Sequence, residues 1–199
     1  YVKGDDYRTI NWKASARRHQ LMVNVYQDER SQRIYNIIDK GRVMQQAFRG
    51  ITLFDYAINA SLVLSFVAIN KEDRAGLITF NERFDNMVPA SRRPHQMQTL
   101  LEALYAQQTT FGESDFSALC IQVDKQVTKR SLLVLYTNFT GTTSLNRQLS
   151  YLIRLNRRHR LLVVFFEDAE LKAYALSHPV NTEDYYRHVI ADKFRYEQR

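Results

Sequence analysis

Cysteine is nearly missing: Cys120 is the one thiol in 199 residues. That excludes an internal disulfide framework and fits a reducing compartment. Glycine and proline are scarce, at six and three, which excludes collagen-like and low-complexity readings. Trp12 is the one tryptophan and is expected to anchor against the domain rather than stack a ligand. No unbroken apolar run reaches the ~18 residues of a membrane span, and no signal-peptide pattern is read in the given stretch. The chain begins with Tyr rather than Met, so it is read as a piece of a longer protein. His19, His95, His159, His178 and His188 show no metal-ligand spacing. Neither a Gly-x-Ser-x-Gly elbow nor a phosphate-cradling glycine loop occurs.

What is there is ordinary globular material, 45% hydrophobic and 25% charged. The length suits one α/β domain and is barely enough for two. The formal charge is +7, a basic bias that points to an acidic partner, nucleic acid or an anionic membrane. Because 28 basic residues are interleaved with 21 acidic ones, the surface reads as mixed and solvated. Arg154, Arg157, Arg158 and Arg160 with His159 form the densest basic patch. They read as a helix carboxyl end, where cations offset exposed carbonyls. The aromatics that single-stranded nucleic acid would need beside them lie in strands and apolar helix faces instead, so no nucleic acid partner is expected.

The stretch Arg33–Met44, RIYNIIDKGRVM, organises the rest. A run apolar on both faces belongs at the centre of a parallel sheet. It stops at Asp39, with Gly41 two residues on, and a helix is expected after the turn. That is how open α/β sheets present a binding edge. Further buried strands are predicted at 74–80, 131–137 and 160–166, and a returning edge strand at 84–88 that ends before Pro89. A strand with one covered face is predicted at 21–29. Helices are predicted at 12–18 (capped by Asp5 or Asp6), 51–69, 94–106, 114–127, 144–158, 168–177 and 182–198. Strands alternating with helices imply a parallel sheet covered on both sides. Cys120 falls among apolar helix neighbours and reads as packing rather than as a nucleophile. Glu113 and Asp115 read as helix-start charges.

Four blocks, GDDYRTINWKASAR, a strand ending in Asp-x-Gly-Arg-x-Met, DRAGLITF and RSLLVLYTNF, resemble the bacterial family catalogued as domain of unknown function 58. The likeness runs over nearly the whole chain, in the family's order. It implies a three-layer von Willebrand factor A-like (Rossmann-like) domain, with a mostly parallel central sheet, one antiparallel edge strand and helices on both faces. Residues 1–20 are then an amino-terminal extension and 21–199 the domain, expected to be cut short at its carboxyl end. Family parents usually carry amino-terminal membrane helices and are often encoded beside MoxR-type AAA+ ATPases. The resemblance therefore implies a protein partner of that kind at the cytoplasmic side of a membrane.

Such domains commonly hold Mg²⁺ through an Asp-x-Ser-x-Ser loop, a later Thr and a second Asp. Transferred here, the pattern falls on Asp39, Gly41, Val43, then Thr110 (or Glu113 or Ser114), then Asn138. Both loop serines are lost and the second Asp is Asn. Asp39, Thr110 and Asn138 remain as candidate metal oxygens, opposed by Lys40 and Arg42, so no cofactor is expected and Mg²⁺ is the alternative. The reading is a non-catalytic protein-interaction module with a degenerate metal-ion-dependent adhesion site. Its partner-binding edge comprises Asp39, Lys40, Gly41, Arg42, Thr110, Glu113, Ser114 and Asn138. Arg42 or Lys40 would grip a partner carboxylate directly. The rivals are a basic-surface binder of nucleic acid or anionic phospholipid, and a metal-dependent hydrolase using Asp39 and the Glu113 region.

Overall fold

The computed structural model describes residues 7–24, 31–166 and Tyr185. The chain divides into two compact units, Tyr1–Arg30 and Ser31–Arg199. In the first, a 3₁₀ turn at Tyr7–Thr9 leads to α1 (Trp12–Arg18). Asn11 caps α1, its side-chain oxygen accepting from Ala14 N–H at 3.0 Å. Ile10 and Val23 form one antiparallel bridge, so residues 21–24 pair with the extension. The remainder of the predicted strand, 25–29, lies outside the described residues, as do Asp5 and Asp6. Trp12 is 67% exposed.

In the second unit β1 (Arg33–Asp39) is the central strand. The chain continues through a 3₁₀ turn at Arg42–Met44, the two-residue strands β2 (Ala47–Phe48) and β3 (Ile51–Thr52), and α2 (Leu53–Asn70). β4 (Arg74–Phe80), β5 (Phe84–Ser91), α3 (Gln96–Tyr105), α4 (Phe116–Gln126), β6 (Leu132–Tyr136), α5 (Thr142–Arg158) and β7 (Arg160–Val164) complete it. The five-stranded sheet has the order β5-β4-β1-β6-β7. All pairings are parallel except the antiparallel β4–β5 edge. Helices cover both faces: α2 and α3 over Ile34, Ile38, Ala75 and Leu77, and α4 and α5 over Tyr35, Ile37, Leu133 and Leu135. The observed fold is therefore the three-layer, mostly parallel α/β arrangement with one antiparallel edge strand.

Three local features depart from expectation. A hairpin precedes α2: Arg49 and Gly50 both take positive φ, 52° and 80°, the geometry of a tight two-residue turn. Thr52 and Asp55 then close a reciprocal capping box that starts α2. β5 runs through Pro89 to Ser91, because an edge strand has an outward side on which a missing N–H costs nothing. The helices expected at 168–177 and 182–198 lie outside the described residues apart from Tyr185, which is helical.

α2 is long and apolar enough, by length and mean hydropathy (1.5), to cross a membrane. Here it lies on the sheet, with Leu53, Phe54, Ala57, Ser61, Ser65 and Ala68 buried. A polar contact joins it to the strands. The buried Asn36 amide donates to Ser65 Oγ at 2.8 Å and to Ser61 O at 3.2 Å, and accepts from Tyr136 Oη at 3.3 Å.

Candidate functional site

Side chains alternate across a strand, so Tyr35, Ile37 and Asp39 project to the α4/α5 face while Lys40 falls to the other. At the carboxyl end of the sheet this parity separates two neighbouring ionic groups. Asp39 has no solvent exposure. Its Oδ1 accepts from Gly41 N–H at 2.8 Å and from Ser114 Oγ at 2.5 Å, and its Oδ2 accepts from Thr137 Oγ1 at 2.7 Å. Burial pushes its carboxyl above the ordinary value, against the lowering effect of those three bonds.

Lys40 goes elsewhere. Its ammonium, 3% exposed at the residue level, donates to Asp85 Oδ2 at 2.7 Å, Gln107 Oε1 at 3.0 Å and Gln108 O at 3.0 Å. All three of its protons are used, so Lys40 is a staple between β1, β5 and the loop before α4, not a hand held out to a partner. Thr110 is exposed and does not line the site. The loop threonine that reaches β1 is Thr109, which donates to Lys40 O at 2.6 Å.

The loop 107–115 is thereby clamped along its length. Besides the bonds above, Arg42 N–H donates to Gly112 O at 2.9 Å and Asp115 N–H to Asn81 O at 2.8 Å. Asp115 also caps α4, accepting from Ser117 and Ala118 N–H groups. This clamped loop forms one wall of a crevice of about 1060 Å³. Asp39, Arg42, Glu82, Glu113 and Ser114 line it, together with Asn138, Phe139, Thr143, Arg147 and Tyr151. Two of its aromatics pack on each other, Phe139 stacking on Phe116 at 5.9 Å between ring centroids. α5 opens at Gly141 with no side-chain cap.

Of the residues singled out in the sequence, Asp39, Arg42, Glu113, Ser114 and Asn138 line one crevice, with Gly41 packed beneath against Ser114 and Asp39. Thr137, Glu82, Arg147 and Tyr151 were not singled out. Arg42 and Arg147 are exposed, and neither guanidinium has a hydrogen-bond or ion-pair partner among the described residues. The basic patch behaves differently: Arg154 and Arg158 bind the Asp124 carboxylate at 2.7 Å and 3.3 Å. Desolvation works the other way, yet those guanidiniums hold Asp124 below its ordinary value. Cys120 is buried, and burial pushes its thiol up to about 11.

Mg²⁺ requires near-octahedral oxygens with carboxylate charge. The set Asp39, Thr110 and Asn138 does not fit that requirement. Both Asp39 oxygens already accept hydroxyl or amide protons. Thr110 is not part of the crevice lining. The Asn138 amide oxygen accepts from Phe139 N–H at 2.9 Å. Among the described residues, no group of three or more His, Cys, Asp or Glu side chains is placed to hold a metal.

A three-layer α/β domain with a clamped polar crevice at the carboxyl edge of its parallel strands is the class these observations define. The chain belongs to the family described as protein of unknown function DUF58, whose model matches residues 1–185. None of the curated proteins matches it. Among solved structures it is similar to the SpRpn10 VWA domain, with TM-score 0.48 and 11% identity over 80% of this chain and 81% of that one. It is also similar to the pilus adhesin SpaC from Lactobacillus rhamnosus GG, with TM-score 0.43 and 16% identity over 60% of this chain and 17% of that one.

Proposed function

We propose that this is a non-catalytic, von Willebrand A-like protein-interaction module that docks an acidic segment of its partner in the crevice. The observation that carries the reading is the pair of guanidiniums without a partner among the described residues, Arg42 from the β1–α2 turn and Arg147 from α5, both lining one cleft. A planar guanidinium matches a carboxylate bidentately, and Phe139 and Tyr151 in the same lining offer apolar contact. Glu82 and Glu113 share the rim, so the cleft positions individual carboxylates rather than attracting any polyanion. Asp39 is already spent on three internal donors, which argues against a general base or metal-ligand role for it.

By family resemblance the partner is a MoxR-type AAA+ ATPase on the cytoplasmic side of a membrane. Titration of that ATPase against the wild type and Arg42→Glu/Arg147→Glu tests the proposal. Charge-assisted hydrogen bonds contribute ~1.5–3 kcal/mol each, so reversal of both charges should weaken binding at least tenfold. Unchanged affinity would refute the docking site. An affinity for duplex DNA or anionic vesicles that collapses with added salt would favour the basic-surface reading instead.

A further inference from the structure

Gly41 has φ −77° and ψ 174°, angles open to any residue, so the glycine is there for room and not for chain conformation. A Cβ at position 41 would lie 1.9 Å from Ser114 Oγ and 2.9 Å from Asp39 Oδ1. The volume a side chain would need is thus filled by the hydroxyl that Ser114 sends to Asp39. The Asp-x-Ser-x-Ser arrangement places an oxygen-bearing side chain at that same position. The two arrangements exclude each other: either residue 41 has a side chain, or Ser114 reaches Asp39. Val43 adds no oxygen, and Thr137 holds the other carboxylate oxygen at 2.7 Å. A cation entering here would have to break a hydroxyl bond to a fully buried carboxylate, with no replacement ligand at 41 or 43.

We infer that Ser114 and Thr137 are positioning residues that substitute for an ion, locking Asp39 and with it the β1 turn, the clamped loop and the end of β6. The crevice is then set in its docking form without a cation. On the docking reading above, partner capture is indifferent to divalent metals.

Two measurements on the full chain test the lock. In a Mn²⁺ titration followed by electron paramagnetic resonance, the wild type should take up no ion at millimolar concentration, and EDTA should leave its Tm in place. One-site binding that Asp39→Asn abolishes would overturn the inference. Separately, Gly41→Ala should lower Tm on the order of 5 °C, but far less when introduced into Ser114→Gly, where the clashing hydroxyl is gone. Equal cost in both backgrounds would overturn it, because a glycine needed only for general packing shows no such coupling. Should Gly41→Ala fail to fold, the wild-type Mn²⁺ titration decides alone. If the lock passes both measurements while the ATPase titration is flat, the docking reading fails and the ion-free lock stands.

Discussion

His159 invites a quantitative trial. It closes α5 against β7, is 1% exposed, and neither ring nitrogen has a hydrogen-bond partner among the described residues. A neutral imidazole carries one donor and one acceptor, and each, buried unpaired, costs roughly 1–3 kcal/mol. Leucine has similar bulk and no polar atom, though an imperfect fit returns about 1.5 kcal/mol. His159→Leu should therefore stabilise the protein by about 0.5–4.5 kcal/mol at pH 7.5, with roughly 2–4 °C in Tm for each kcal/mol in a chain of this size.

The pH dependence supplies the sign. Burial, assisted by the Arg158 charge, lowers the His159 pKa below its ordinary 6.5. The unfolded chain then binds the proton first as pH falls, so stability is intact above about 6.5 and is lost progressively below it, by at most ~1.4 kcal/mol per pH unit. Asp124, whose pKa is depressed from 3.8, loses its contribution only in more acid solution. Asp39 acts in the opposite sense, because its pKa is raised, but it is common to both proteins and cancels in the difference. Urea unfolding of wild type and His159→Leu from pH 7.5 to 5 should thus show a gap that widens toward acid. A variant less stable at pH 7.5, or two curves that fall in parallel, would refute the reasoning.

Two further perturbations test the scaffold of the crevice. Lys40→Met removes the charge from Asp85 and orphans Gln107 and the Gln108 carbonyl; we expect a loss of about 2–3 kcal/mol by urea unfolding. That is less than for a fully buried pair, because the Asp85 side chain is 42% exposed, and no loss would show the staple to be idle. Cys120, with its thiol pushed from 9.0 up to about 11, should react with Ellman's reagent near pH 8 roughly a hundredfold slower than a free thiol. Labelling at the free-thiol rate in the folded protein would contradict its burial.

The strands were the most legible part of the sequence. Arg74–Phe80 forms β4 as predicted, since an uninterrupted apolar run between polar turns leaves little choice of boundary. Pro89 misled, because a proline reads as a strand end until the strand is known to be an edge. At the site, Asp39 was legible as the end of a buried strand, whereas the choice among Thr109, Thr110 and Ser114 was not. That loop has no period, and the hydroxyl that reaches the carboxylate is chosen by clamps to Asn81 and Arg42. Thr137 and Lys40 were legible in principle. Register pairs Ile38 with Tyr136, so the next step along both strands sets Thr137 beside Asp39, and the same alternation sends Lys40 to the opposite face. Arg147 gave no signal, because one arginine on a polar helix face reads as solvent contact.

The Asn36 contact has a consequence for α2. That helix is greasy around its whole circumference: Val63 and Phe66 on its outer side are 64% and 56% exposed, so oil-and-water preference does little to choose which side lies down. A rod of that kind could roll about its long axis or slip by a turn at small cost. The amide wedged against Ser61 and Ser65 acts as an index pin, since any other setting strands buried polar atoms. The rod is tethered to the segment that carries Arg42, so the bearing of that guanidinium is registered from a point deep beneath the sheet surface.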